Sequence, residues 1–147
     1  MTAIDQNKAT VARFLAGTHS QNIEDVEIID ETVVPHILCH GFPGFPNGDF
    51  AGRESYKAFF RIFRQSFSDM HFETLATLAT EEYVSAHWKV EATHSGEFQG
   101  IAPDGARVVF DGVALYRLED HRIAETWLRV NEPLLLSQLG RGARRAA

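Results

Sequence analysis

One acidic residue of this sequence lies inside an apolar run, where a carboxylate can act as a base. Asp111 interrupts the segment 108–113, whose other residues are three Val, one Phe and one Gly. Burial among apolar side chains disfavours a charged carboxylate and raises its pKa towards neutrality. Such a group can remove a proton from the carbon next to a carbonyl. On a strand, Asp111 faces either a pocket or solvent, and the sequence leaves both orientations open.

Four residues at the end of the chain form a second group of candidates on one face of a predicted strand. Alternation along the strand places Glu125, Trp127, Arg129 and Asn131 on the same side. Glu125 is a second candidate base, although an ion pair with Arg129 is the simpler explanation of this residue. Trp127 and Arg129 are candidate substrate contacts.

Histidine and aromatic residues complete the candidate site. His94 is a further candidate for catalysis, with a structural hydrogen bond as the alternative. His40, a candidate pocket residue, precedes a Gly- and Pro-rich segment, 41–52, which is either a flap over a pocket or a loop packed on the body. The other candidate substrate-binding side chains, which could instead be core, are Phe42, Phe45, Phe63 and Trp88.

Metal, thiol and phosphate chemistry are not indicated. His36 and His40 have a spacing that suits metal binding on a helix, but Pro35 argues against a helix there. Cys39 and His40 are adjacent on a predicted strand and therefore point to opposite faces. No glycine pattern matches a phosphate loop, so the residues predict neither a metal site nor a phosphate-binding loop. Three further histidines are interpreted as surface or packing residues: His19, His71 and His121.

The composition indicates one globular domain. The chain has 147 residues, of which 44% are hydrophobic and 23% charged, and its 11 Phe predict an aromatic-rich interior. A net charge of −6 argues against a nucleic-acid partner, which needs a basic face. No segment reaches the roughly 20 apolar residues of a membrane span, and the single cysteine excludes an internal disulfide, so we expect a cytoplasmic protein. We predict a domain over 1–140 and a basic, flexible tail over 141–147.

The elements that must position these residues follow from hydrophobic periodicity. The first half of the chain reads as helices with one short strand, and aromatic residues recur at helical spacing over 54–67. From Met70 onward the period changes to two. The predicted helices are 5–15, 22–30 and 54–67, and 133–139 is a short helix or a turn. The predicted strands are 33–40, one beginning near 70, 84–93, 108–118 and 123–130. Segregated helices and strands predict an α+β fold, with a strongly bent antiparallel sheet wrapped around the N-terminal helices to form a cone with an internal pocket. Pro35 confines the first strand to an edge or a bent position.

Five segments resemble the SnoaL-like polyketide cyclases of the NTF2-like superfamily. They occur in the family order and span nearly the whole chain. They are SFSDMHF at 66–72, with Ser68 where the family has Pro, ATHSGEF at 92–98, GIAPDG at 100–105, RIAETW at 122–127 and QLG at 138–140.

This resemblance implies an NTF2-like cone and an intramolecular aldol condensation on aromatic polyketide methyl esters, without metal or cofactor. It also implies an acid/base Asp four residues after the Trp of the last strand. In this chain that position is Asn131, and an amide cannot take a proton from carbon at neutral pH.

We therefore predict a SnoaL-like enzyme with acid/base chemistry on a small, apolar carbonyl compound, and Asp111 as the first candidate for a displaced base. Two other hypotheses remain: a non-catalytic small-ligand binder on the same fold, and an interaction module. A long antiparallel sheet leaves a face or an edge to be covered, which predicts a homodimer.

Overall fold

Residues 1–140 fold into four α-helices and one six-stranded sheet. The computed structural model describes residues 1–140. At Pro46 it describes only the backbone. The predicted tail at 141–147 lies outside the described residues. The α-helices are α1 (Ala3–Thr18), α2 (Ile29–Thr32), α3 (Arg53–Ser66) and α4 (Glu132–Gln138), with 3-10 turns at Ile23–Ile28 and Pro46–Gly48. The strands are β1 (Val33–His40), β2 (Phe50–Ala51), β3 (Phe67–Ala79), β4 (Tyr83–His94), β5 (Arg107–Glu119) and β6 (Arg122–Val130).

The sheet is mixed and bent. Its strand order is β2-β1-β6-β5-β4-β3, and β3 to β6 form an antiparallel meander. The expectation of a wholly antiparallel sheet was wrong at one place, because β1 joins the far side of the meander parallel to β6. The β1–β6 register shifts between Val33 and Leu38, around Pro35, which has no N–H to donate. Two further register shifts in β3–β4 bend the other end of the sheet.

Helix α1 begins at a complete capping box. The Thr2 hydroxyl accepts a hydrogen bond from the Asp5 N–H at 3.1 Å, and the Asp5 carboxylate accepts one from the Thr2 N–H. Val11, Phe14 and Leu15 are buried on the side of the helix that faces the sheet. The helix extends to Thr18, three residues beyond the predicted end.

Helix α3 carries the aromatic stripe that the sequence predicts. Tyr56 and Phe60 are buried, and Phe59 and Phe63 are partly buried against the core. Phe14 of α1 contacts the rings of Tyr56 and Phe60 at centroid distances of 5.4 and 5.8 Å. The two helices therefore meet through aromatic rings on the concave side of the sheet.

The sheet has one covered face and one open face. Alternate residues of β4, β5 and β6 are buried, among them Trp88, Phe110 and Tyr116, and the intervening side chains point outwards. This pattern confirms the predicted α+β cone, in which helices cover the concave face and leave the convex face uncovered.

Candidate functional site

The concave face encloses a cavity of about 520 Å³. Its lining comes from α1, α3, α4, the inner sides of β4 to β6, and two loops, 41–49 and 95–101. A volume of this size is typical of a small-molecule site. A pocket filled by the chain's own Phe and Trp side chains would have favoured the interaction module, and the structure does not show such a pocket.

Trp88 forms one wall of the cavity because its partner across the strand pair is a glycine. Gly112 lies opposite Trp88 in the β4–β5 register. A Cβ at Gly112 would lie 2.5 Å from the Trp88 indole and 2.8 Å from the Arg129 carbonyl oxygen. Only a residue without a side chain lets the indole lie across β5, where it meets Phe110 edge-on at 6.2 Å.

The loop after β1 covers part of the cavity with aromatic rings. Phe42 and Phe45 line the cavity, and Phe42 packs edge-on against Phe59 of α3 at 4.9 Å. The turn closes through a hydrogen bond from the Phe42 N–H to the Gly48 carbonyl, 2.9 Å long. Gly48 has a φ of 73° and lies against Gly41, so a side chain would be strained and would clash there. The two interpretations of this loop thus coincide: it packs on the body and it also lines the cavity.

His19 is a buried ionisable side chain of the lining. It is 9% exposed, ends α1, and stacks on Phe72 at a centroid distance of 4.2 Å. Burial lowers the pKa of His19 to about 4, the Leu15 hydrogen bond opposes this shift, and the Arg64 charge adds to it. The ring is therefore neutral at pH 7.

Two tyrosines supply hydroxyl groups to the lining. Tyr56 of α3 and Tyr116 of β5 are each 2% exposed, and burial raises the pKa of both phenols, which keeps them protonated. Thr126 lies opposite Tyr116 on β6. The Thr126 hydroxyl has no partner with hydrogen-bond geometry. Its proximity to Tyr56 lowers the pKa of that phenol, but the larger effect of burial raises it.

Carboxylates border the cavity where it meets solvent. Glu97 is exposed and Glu132, at the start of α4, is half-buried. Within residues 1–140 the lining contains no Lys or Arg side chain. The charge at the opening is therefore negative.

Asp111 lies on the opposite side of the sheet from the cavity. Its carboxylate is 3.1 Å from His87 Nε2 and accepts a hydrogen bond from Asn131 Nδ2 at 3.0 Å. The hydrogen bonds from His87 and Asn131 hold the pKa of Asp111 below its ordinary value, which is the reverse of the shift expected for a buried base. Of the two predicted orientations, the structure shows the one that faces away from the cavity. Asp111 was a candidate base only if its side chain faced the pocket, and it does not.

Asn131 has a structural role at the position where the family resemblance implies an acid. Its side chain is exposed, and its Oδ1 accepts a hydrogen bond from the Leu134 N–H as the N-cap of α4. The next residue, Glu132, is the carboxylate that reaches the lining.

His40, Glu125, Trp127 and Arg129 also lie on the convex face. Glu125 accepts hydrogen bonds from His40 at 2.7 Å and from Arg117 at 3.1 Å, and these contacts lower its pKa, the His40 contact most. The expected ion pair with Arg129 was wrong, because Arg117 of the neighbouring strand lies closer across the sheet. Arg129 instead donates to the Leu128 carbonyl, and Trp127 stacks on His40 at 5.4 Å.

His94 is fully buried outside the cavity lining. Neither ring nitrogen has a hydrogen-bond partner, and the ring lies 5.5 Å from that of Phe67. The structure therefore shows neither the substrate contact nor the structural hydrogen bond.

Four of the predicted site residues line the cavity together: Phe42, Phe45, Phe63 and Trp88. The ionisable side chains of the lining were not predicted as site residues. They are His19, Tyr56, Tyr116, Glu97 and Glu132. The signal available for His19 was its position at the end of an amphipathic helix, four residues after Leu15.

Residues 1–140 contain neither a metal-binding cluster nor a membrane-spanning helix. No group of three or more His, Cys, Asp or Glu side chains there could hold a metal ion. In the same range, no helix is long and apolar enough to cross a bilayer.

Sequence and structural comparisons define the class of this protein. The sequence profile of the SnoaL-like polyketide cyclases matches residues 9–139, and the chain belongs to this family. No match was found among curated proteins.

Three solved structures illustrate the relationship. A proposed SnoaL-like polyketide cyclase from Jannaschia sp. CCS1 has a TM-score of 0.86 at 18% identity, over 96% of both chains. AclR, a proposed hydroxylase from Streptomyces galilaeus, has a TM-score of 0.79 at 26% identity, over 94% of this chain and 98% of its own. IdmH, a proposed polyketide cyclase from Streptomyces antibioticus, has a TM-score of 0.76 at 25% identity, over 90% and 97%.

Proposed function

We propose that this protein binds a flat, largely apolar carbonyl compound of the polyketide type and closes a ring in it without a cofactor. The observation that carries this proposal is the aromatic-lined cavity of about 520 Å³, with its few polar groups at defined positions. Such a lining favours a planar apolar molecule whose polar atoms meet those groups. Membership of the SnoaL-like family supports the same chemistry.

The charge of the lining favours a neutral ligand. Glu97 and Glu132 border the opening, and no cation among the described residues offsets them there. A carboxylate ligand would lose hydration in the apolar cavity without gaining an ion pair. An ester or ketone is therefore a better ligand than the corresponding free acid.

Glu132 is the candidate base of this proposal. It lines the cavity beside Asn131, and the structure gives its carboxylate no hydrogen bond or ion pair with a described residue. In ring closure, the base takes a proton from the carbon next to one carbonyl. That carbon then bonds to the carbon of a second carbonyl, whose oxygen receives a proton. Tyr56 and Tyr116 are protonated donors that could stabilise the developing oxygen charge.

Ligand binding is the first test of the proposal. A thermal-shift panel would compare an aromatic polyketide methyl ester, its free acid, a steroid and a fatty acid. A ligand at about 100 times its Kd stabilises the fold by about 2.7 kcal/mol, which raises Tm by several degrees. The ester should give the largest shift, and an absence of any shift would contradict the proposal.

Turnover of the bound ester tests the base. Glu132→Gln keeps the shape of the side chain and removes its basicity, so it should lower kcat by about 10²–10⁴-fold while binding persists. Asp111→Asn, on the other side of the sheet, is the matched control and should leave kcat unchanged. Equal rates for wild type and Glu132→Gln would remove Glu132 from the mechanism.

A non-catalytic ligand carrier is the second candidate function. The observation that favours it is Asn131, an amide that caps α4 at the position where the family resemblance implies an acid. In that case the ester would bind, and neither wild type nor Asn131→Asp would convert it.

We also propose that the convex face joins two copies of the chain. Leu38, Val113 and Leu115 are exposed there, and Trp127 is half-buried. The same face carries both Glu125 and its basic neighbours, so it can complement itself across a two-fold axis. Sedimentation should show a dimer, and Leu115→Lys should shift it to monomer. A wild-type monomer at micromolar concentration would contradict this proposal.

A further inference from the structure

His19 has one ring nitrogen engaged and one free. Its Nδ1 lies 3.0 Å from the Leu15 carbonyl oxygen and 2.9 Å from the Thr18 hydroxyl. The Thr18 hydroxyl already donates to the Phe14 carbonyl at 2.8 Å, so its oxygen is available as an acceptor. Nε2 makes no hydrogen bond with a described residue, and it is not among the fully enclosed unpartnered atoms.

These contacts define the tautomer of the ring. A carbonyl oxygen only accepts, so the nitrogen facing Leu15 must carry the proton. Because the ring is neutral at pH 7, Nε2 then carries a lone pair and no hydrogen. Nε2 is a hydrogen-bond acceptor on a side chain that lines the cavity.

The other buried polar groups of the lining have the opposite character. Tyr56 and Tyr116 hold their protons and can donate, since burial raises the pKa of both. The Phe60 ring contacts both groups, 5.3 Å from Tyr56 and 5.5 Å from His19. The lining therefore offers both hydrogen-bond donors, on the tyrosines, and an acceptor, on His19.

We propose that His19 Nε2 selects ligands that present a hydroxyl group to it, while the hydroxyl groups of Tyr56 and Tyr116 receive a carbonyl oxygen. The inference rests on the proposed function, because it assumes that the ligand occupies this cavity. It adds a specificity-determining residue and a substrate class, a hydroxylated aromatic ketone or ester. A ligand without the hydroxyl leaves Nε2 desolvated and unpaired, which weakens binding.

Three matched probes test this selection by calorimetry near pH 7: 6-hydroxy-1-tetralone, its methyl ether and 1-tetralone. Wild type should bind the hydroxyl compound about tenfold more tightly than the methyl ether. His19→Phe keeps the aromatic stack on Phe72 and should bind the two with equal affinity. The exposed-site variant His36→Gln is the control and should keep the tenfold ratio.

A measurement on the unmodified protein covers the case in which His19→Phe fails to fold. In long-range ¹H–¹⁵N spectra of ¹⁵N-histidine-labelled wild type, Nε2 of His19 should appear unprotonated. Its resonance should move when the hydroxyl compound binds and stay nearly fixed with the methyl ether.

Each outcome bears on a different statement. A protonated Nε2, or equal affinities of wild type for the hydroxyl compound and its ether, would overturn the assignment to His19 and leave the proposed function standing. Failure of all three probes to bind would overturn the proposed function and this inference together.

Discussion

Acid should destabilise this protein through His19, and replacing that residue should remove most of the effect. In the fold, His19 packs against Phe72 and Phe60, and its pKa is about 4. In the unfolded chain its pKa returns to about 6.5. The unfolded state therefore binds more protons below pH 6.5, and stability falls as the pH is lowered through the window from 6.5 to 4.

The size of the effect follows from the two pKa values. One pH unit inside the window changes the free energy of unfolding by about 1.4 kcal/mol. Between about pH 7 and about pH 5, His19 alone should cost the fold about 2 kcal/mol. That is a large share of the 5–15 kcal/mol that is typical of a domain.

Urea unfolding at these two pH values measures the effect. His19→Phe keeps a ring in the same place and cannot be protonated, so its loss of stability on acidification should be about 2 kcal/mol smaller than that of wild type. Other titrating groups contribute equally to both proteins and cancel in the difference. His36→Gln removes an exposed histidine and should behave like wild type. Equal pH dependence of His19→Phe and wild type would refute the reasoning.

Three other predictions concern the sheet and its helices. Asp111→Asn should leave ligand affinity unchanged by calorimetry and alter stability by less than about 1 kcal/mol, because the side chain lies on the convex face; a large loss of affinity would contradict its position. Gly112→Ala should destabilise the fold by about 1–3 kcal/mol and shift the Trp88 fluorescence, because the new methyl group meets both the indole and backbone. An unchanged spectrum and stability would show that the indole does not lie across β5. Lys57→Met should cost about 1 kcal/mol in urea unfolding, since the buried amine pairs with half-exposed carboxylates such as Asp30 at 3.1 Å, and unaltered stability in low salt would show that the pair contributes nothing.

The two faces of the sheet divide the candidate residues into two groups. Side chains of the concave face meet a ligand-sized space, and those of the convex face pair with one another across strands. A pKa lowered by hydrogen bonds, as at Asp111 and Glu125, marks carboxylates that stabilise the sheet. For the proposed ring closure we therefore expect the base on the concave side, where Glu132 is its candidate.

Periodicity alone was sufficient for most of the elements. The strand predicted at 33–40 has the same bounds as β1, and the aromatic helix predicted at 54–67 differs from α3 by one residue at each end. These elements are predictable because their burial follows a local repeat of two or 3.6 residues. The parallel β1–β6 pair was not predicted, since no local repeat records which distant strand becomes a neighbour.

The fold class, the family and the aromatic interior could be predicted from residue types and their spacing, because each of them leaves a local pattern in the chain. Which candidates share a site depends on tertiary packing. Period-two alternation placed Asp111 on one of two faces, and the packing of α1 and α3 chose which face became the cavity. His19 shows the same limit from the other side. Nearby residues, Leu15 and Thr18, fix its tautomer. Its burial and its place in the lining come from residues distant in sequence, such as Phe72 and Trp88.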